Sequence, residues 1–169
     1  RFSNFIYQAP TGDVEDDLPV FQVSQGHARY SGLEAELELL LGRTGKVDWR
    51  WTNSLDLVRA TITGFCPAPL IPPVRIQSGI EARHGRWEAN IDLEHGFAQK
   101  RNASLETTTK GYTLVNLGVH YRFDDRPNLS LGLSANNIFD VVVRRHSSLL
   151  KDYAPLAGRD IRLTLRLAY

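Results

Sequence analysis

The last nine residues restrict the fold more than any other part of the chain. In Ile161-Arg162-Leu163-Thr164-Leu165-Arg166-Leu167-Ala168-Tyr169, apolar residues occupy every second position. Ile161, Leu163, Leu165, Leu167 and Tyr169 share one side, and Arg162, Thr164 and Arg166 share the other. Wound into a helix, those arginines would sit among leucines in all directions. Drawn out as a strand, the two classes separate cleanly.

The same two-residue grammar runs upstream. Leu33, Ala35, Leu37, Leu39 and Leu41 alternate with Glu34, Glu36 and Glu38, with Leu40 breaking the polar side. Trp49, Trp51, Leu55 and Leu57 oppose Asp48, Arg50, Thr52 and Asp56. Val74, Ile76, Ile80 and Ala82 oppose Arg75, Gln77, Glu81 and Arg83. Trp87, Ala89, Ile91, Leu93 and Phe97 oppose Glu88, Asn90, Asp92 and Glu94. Val115, Leu117, Val119, Tyr121 and Phe123 oppose Asn116, His120 and Arg122, and Leu129, Leu131 and Leu133 continue the series. Many runs reach the roughly 9–11 residues a tilted strand needs to cross a bilayer. The expected fold is all-β: an antiparallel meander of about eight long strands, the C-terminal part of a transmembrane β-barrel.

Connector lengths supply an independent check. Short polar turns are expected at Gly42–Lys46, His84–Arg86 and Asp124–Asn128, and long connectors at Gln8–Leu18, Thr61–Ile71, Gln99–Lys110 and Asp140–Gly158. Membrane barrels pair short periplasmic turns with long outer loops. With Phe2–Tyr7 rising and Val20–Leu41 descending past an irregularity near Gln25-Gly26, Tyr169 ends on the periplasmic side. Trp49, Trp51, Trp87, Tyr121, Phe123 and Tyr169 then gather at that edge as an aromatic girdle, with Phe97 near the other edge.

Composition is in keeping with this. No apolar run approaches the roughly 18 residues of a membrane helix, yet a barrel's mean hydropathy is modest because half of each strand is polar. A net charge of +1 with dispersed basic residues gives no reason to expect a nucleic-acid partner. The lone Cys66, in Phe65-Cys66-Pro67-Ala68-Pro69, reads as an unpaired loop thiol, and no Cys/His spacing suggests zinc. The chain starts at Arg1 without Met or signal peptide, so it is expected to be a fragment of a longer protein.

Glu34, Glu36, Glu38, Arg50, Arg75, Glu88, Asp92, Glu94, His120, Arg122, Arg162 and Arg166 are expected to face a wet lumen. Closing the Gly42–Lys46 turn with Leu41 opposite Val47 sets Glu38 opposite Arg50, a ladder pair. The acidic run Glu34, Glu36 and Glu38 calls for arginines from neighbouring strands or from a plug. Among His27, His84, His95, His120 and His146, only His146 is expected to be exposed in an outer loop, which makes it the candidate metal ligand. His84 lies in a turn, His95 falls on the lipid register, and His120 sits beside Arg122. Catalysis finds no support: His146-Ser147 lies in a loop without preorganisation, and there is no Gly-x-Ser-x-Gly elbow. No cofactor is expected.

Tyr112–Gly118, then Leu129–Asn136 and Asn137-Ile138-Phe139-Asp140, resemble the end of a TonB-dependent receptor barrel, whose penultimate strand closes on an Asn-Leu-Phe-Asp type motif. Gly158-Arg159-Asp160 leading into the final strand is similar too, as is Ala28–Leu37 with its Gly-x-Glu-x-Glu pattern. Arg144–Pro155 resembles the matching loop of the zinc-uptake branch. The resemblance implies TonB-driven uptake of a metal or metal chelate, zinc or a ferric siderophore, through the bacterial outer membrane. It implies about twenty-two strands around an N-terminal plug, of which residues 1–169 would supply the last part, without the plug or the TonB-contacting segment. Outer-membrane lipid and the barrel-assembly machinery are the implied partners, although the last strand lacks a Gly often present in assembly signals. The alternative is a complete eight-stranded barrel with a structural or enzymatic role.

Overall fold

The computed structural model describes residues 1–64, 67–123 and 128–168. Eight strands follow one another: β1 (Phe2–Glu15), β2 (Leu18–Thr44), β3 (Val47–Ile62), β4 (Arg75–His84), β5 (Trp87–Gly96), β6 (Tyr112–Arg122), β7 (Leu129–Asn136) and β8 (Asp160–Leu167). They form a single antiparallel sheet in sequence order, with β1 and β8 as its edges. The edges do not pair with each other among the described residues, so the eight-stranded closed barrel does not form. Cys66, most of the short turn expected at residues 124–128, and Tyr169 lie outside the described residues.

Register converts alternation into two continuous faces. One row reads Leu39, Trp51, Ile80, Ile91, Leu117, Ala135 and Ile161 across β2 to β8. The row beside it reads Arg50, Glu81, Asn90, Gly118, Ser134 and Arg162 across β3 to β8. A slip of one residue in any pairing would exchange the faces of that strand. Among the described residues no second sheet covers the apolar side: Leu163, Leu165 and Leu167 remain 65–69% exposed. A soluble sandwich would bury such leucines against an opposing sheet.

Two turns differ from expectation. Residues 8–18 form no loop: Gln8 to Glu15 continue β1, and Asp16-Asp17 close the hairpin with φ of 49° and 62°, the left-handed pair that a two-residue hairpin turn requires. Pro10 stands at the start of an irregularity, where a missing amide donor is tolerated, and the extra residues are absorbed at Phe2/Phe5 and Pro10/Val14. The irregularity expected near Gln25-Gly26 therefore belongs to the partner strand. At the other end, Thr44 pairs with Val47 around Gly45-Lys46, and a bulge between Leu40 and Gly42 takes up Leu41. Glu38 consequently stands opposite Thr52, with Leu40 opposite Arg50.

β2 has 27 residues, roughly 90 Å of chain at about 3.3 Å per residue, far more than a bilayer needs. The polarity of β2 and β3 reverses along their length. Up to Leu33 and Leu57 the outer side is apolar. Beyond them the same side carries His27, Arg29, Arg59 and Thr61, all exposed. The inner side becomes apolar there: Ala60, Ile62 and Ala68 are buried with Phe5, Tyr7, Tyr30 and Ile71 around them. Phe2, Phe5 and Tyr30 stack at centroid distances of 5.5–6.2 Å. This reversal marks where the apolar outer face ends and a small core on the inner side begins. Gly32 sits at the transition, on the inner side, where a Cβ would lie 2.7 Å from the Leu57 carbonyl oxygen. Gly32→Ala should therefore destabilise the sheet by about 1–3 kcal/mol through overpacking, read as a lower urea midpoint in lipid vesicles. An unchanged midpoint contradicts the close approach.

Candidate functional site

The polar face carries a cleft of about 670 Å³ lined by Glu36, Glu38, Thr52, Gln77, Asp92 and Glu94, among others. Its charges are cross-linked from strand to strand. Arg75 contacts Asp56 at 2.7 Å, Arg83 contacts Glu88 at 3.3 Å, and Gln77 donates to Glu94 at 3.2 Å. The Glu38–Arg50 pair exists at 3.3 Å, but as a diagonal contact. The bulge at Leu41 moved the register, and the long arginine side chain spans the offset. Glu34 faces Asp56 and Glu36 faces Ser54. Neither has a cationic partner among the described residues. At the far side Arg162 lies 3.4 Å from Asp160, Arg122 and Arg166 both flank Ser130, and His120 sits opposite Gly132. Individually these exposed pairs contribute little stability. Collectively they make a hydrated, charged wall.

On the apolar face, Trp87 packs on Tyr121 at 4.6 Å and Tyr121 on Phe123 at 4.9 Å. Trp49 and Trp51 lie on the same face of β3, and the Trp51 indole donates to Ser78 at 2.9 Å. Near the opposite edge His95 meets Thr113 at 2.8 Å and Phe97 at 4.6 Å. His84 pairs with Trp87 at the end of a two-residue turn.

Three connectors, residues 63–74, 97–111 and 137–159, meet at the end opposite the short turns. Their junction is Glu106. Its carboxylate accepts from the backbone N–H of Leu70 and of Ala103, both at 2.9 Å. Lys151 Nζ lies 3.4 Å away and also donates to the Thr107 carbonyl at 2.9 Å. His146 Nε2 lies 3.2 Å from the same carboxylate, without the alignment of a hydrogen bond, while Nδ1 meets the Thr109 hydroxyl at 3.0 Å. One acid thus joins residues from all three connectors.

This overturns the expected exposure of His146, which is only 2% exposed. The imidazole is packed beside an ammonium and a carboxylate instead of reaching outward. No group of three or more His, Cys, Asp or Glu side chains is arranged to hold a metal among the described residues. Burial, and then Lys151, push the His146 pKa below its ordinary 6.5. Burial alone would raise Glu106, but the Ala103 and Leu70 amides and the His146 and Lys151 charges hold it below its usual value. Both groups take up protons more readily once the connectors undock. Their contribution is complete above pH 6.5 and is lost as pH falls through the lowered folded values. Amide protection in residues 137–159, corrected for intrinsic exchange, should drop between pH 7 and pH 5 and stay flat from pH 7 to 8. Constant protection over the acid range would show that the cluster does not titrate with docking.

Next along this connector, Arg145 reaches down onto the polar face. Its guanidinium contacts Glu94, with one arm at 3.2 Å, and the Tyr112 hydroxyl. Tyr112 in turn donates to Glu94 at 2.6 Å. The Arg145 Cζ lies 5.3 Å from the Tyr112 ring centre. Arg145, Tyr112, Arg75, Asp56 and Glu34 help to enclose a second cleft of about 350 Å³. Nothing in the strand periodicity could have found Glu106, Lys151 or Arg145, because their partners come from distant connectors.

The motif at the end of β7 has a physical role. Asn137, buried and at φ 48°, donates its amide to the Asn116 side chain at 2.8 Å. Its own side chain exchanges two bonds with Val141, each at 2.9 Å. Asp140 accepts from the Arg159 amide at 2.8 Å, and a side chain at Gly158 would strike Asp140. The Asn-Ile-Phe-Asp and Gly-Arg-Asp segments therefore clasp each other and align β8 on β7.

An open wall of long strands, apolar on one side and charged on the other, with short turns at one end and interlocked connectors at the other, defines a section of a membrane β-barrel. A family model described as TonB dependent receptor-like, beta-barrel matches residues 1–138. The chain belongs to that family, whose members are outer-membrane proteins. Residues 139–169, with the last connector and β8, lie beyond the matched span. Among solved structures, the chain is similar to one described as "Copper transporter OprC", at 21% identity with a TM-score of 0.82. The match covers 98% of this chain and 27% of the other, so the chain spans about a quarter of its length.

Proposed function

We propose that these residues form the C-terminal section of the barrel of a TonB-driven outer-membrane receptor that imports a metal or metal chelate, with zinc or a ferric siderophore as cargo. The register carries this reading. Between the short turns and the Leu33–Leu57 pair it sets the leucine rows on one unshielded face and most acids and arginines on the other, as a strand between lipid and a wet lumen requires. Glu34, Glu36, Glu38, Arg50, Arg75, Glu88, Asp92, Glu94, His120, Arg122, Arg162 and Arg166 then line the lumen. Trp49, Trp51, Trp87, Tyr121 and Phe123, together with Tyr169, form the periplasmic girdle. The plug and the segment that engages TonB belong to the remainder of the receptor. Likeness to a copper transporter at the level of fold is in keeping with a metal cargo. Lipid surrounds the apolar face, and the assembly machinery inserts the barrel.

The test is uptake by cells with and without the complete receptor, supplied with radioactive zinc, copper or ferric siderophore. Accumulation of one cargo should depend on the receptor and vanish when TonB is removed. Receptor-independent accumulation of every cargo would reject the assignment.

A further inference from the structure

One sector of the outward, apolar face carries polar side chains of its own. Along β3, Asn53 stands midway between Trp49 in the girdle and Leu57 in the last leucine row. Its cross-strand neighbour is Ser78 on β4. The row continues to Leu37 on one side and to Leu93 and Val115 on the other. One row below, the Trp51 indole donates to the Ser78 hydroxyl at 2.9 Å. One row above, His95 and Thr113 face each other across β5 and β6 and bond at 2.8 Å. Asn53, Ser78, His95 and Thr113 are all half-buried. The Asn53 Nδ2 is covered by its neighbours and has no hydrogen-bond partner among the described residues. A polar seam therefore crosses β3 to β6, whereas β7 and β8 present uninterrupted rows of leucine, isoleucine and alanine. Hydrocarbon offers this seam neither donor nor acceptor, and an unbonded amide N–H is costly there.

We infer that the outward face of β3 to β6 is an in-plane interface with a second copy of the receptor, centred on Asn53. This rests on the membrane reading proposed above. The chemistry selects the occupant. A carboxamide carries a donor and an acceptor side by side, so two Asn53 side chains related by a twofold axis satisfy each other reciprocally. The Ser78 and Thr113 hydroxyls likewise both donate and accept. A patch offering both kinds of group is complementary to itself, as a twofold interface requires. A half-turn about the Asn53 Cβ–Cγ bond exchanges the two ends of its amide and brings the N–H to the side held by the oxygen. Polar side chains of this kind join membrane-embedded segments. Around them Ile76, Ile80, Ile91 and Leu93, 39–45% exposed, supply an apolar rim for the same rows of the partner.

The test places the complete receptor in phosphatidylcholine vesicles and measures energy transfer between donor- and acceptor-labelled copies as protein density rises. Transfer should exceed that of randomly scattered copies and reach a plateau. Asn53→Leu should weaken association by about tenfold, the effect of losing two bonds of the strength found between membrane helices. The same variant should fold at least as stably as the native protein, because leucine suits the bilayer. In a Cys66→Ser background, Leu55→Cys should give disulfide-linked pairs under mild oxidation, and Leu163→Cys on β8 should give none. Transfer no greater than random, association that Asn53→Leu leaves unchanged, or equal cross-linking at positions 55 and 163 overturns the inference. Failure to insert rejects the membrane reading together with the interface, whereas insertion as single copies, with lipid covering the seam, rejects the interface alone.

Discussion

Leu165→Arg should cost the barrel about 2–4 kcal/mol of folding free energy in lipid vesicles, and Thr164→Arg much less. The two positions are neighbours on β8 with opposite surroundings. Leu165 pairs with Leu131 in the apolar rows and is 66% exposed, covered by no other element among the described residues; in the proposed reading the bilayer covers it. Thr164 pairs with Gly132 on the charged face, where a guanidinium keeps its water and lies in the same strand face as Arg162 and Arg166. An arginine at position 165 must either shed its hydration or drag water into the hydrocarbon. Urea titration of the complete receptor refolded into vesicles measures both costs. Comparable losses from the two substitutions would mean that the faces are assigned wrongly.

Glu106→Ala should release all three connectors at once while leaving the strands protected. The substitution strands Lys151 without its counter-charge and removes the carboxylate packed against His146; the two side chains are only 6% and 1% exposed. It also orphans the Leu70 and Ala103 amides. Removing one member of a buried charged group costs about 3–5 kcal/mol, so amide exchange in the connectors should rise by two to three orders of magnitude. Glu106→Gln keeps one amide acceptor and should fall between the two. Exchange confined to residues 97–111 would show that the carboxylate holds only its own connector and ties nothing together.

Different parts of the molecule were legible to different degrees. The faces of β3 to β8 could be read directly, because a period of two on a sheet is a local property of each strand. The first hairpin was misread for a local reason too: Gln8 to Leu18 contains Pro, Gly and four acids, the composition of a loop. The upper part of β1 lies beyond the apolar rows, so no apolar side chains are demanded there, and Pro10 sits at the Pro10/Val14 irregularity. The Glu38–Arg50 offset came from one bulged residue, Leu41, which alternation cannot announce in advance.

His146 illustrates the limit more sharply. Within Arg144-Arg145-His146-Ser147-Ser148 every neighbour is polar or charged, so exposure was the natural expectation. Its burial depends on Glu106 and Thr109 from another connector. No spacing rule links positions forty residues apart in irregular segments. The clasp formed by Asn137, Asp140 and Gly158 sits between these cases. Its residues could be noticed as a motif, but which bonds they make could not.

Chemistry that repeats along the backbone was determined by the sequence alone: strand, face, turn polarity, and membership in a barrel wall. Each follows from where an apolar side chain falls in a two-residue repeat, and this needs no knowledge of distant partners. The tertiary structure alone decided how the connectors lock on Glu106, how Arg145 anchors to the polar face, and where β2 and β3 exchange their apolar sides. Those outcomes depend on segments far apart in the chain meeting in space, and on burial that makes one carboxylate worth more than a run of exposed ones.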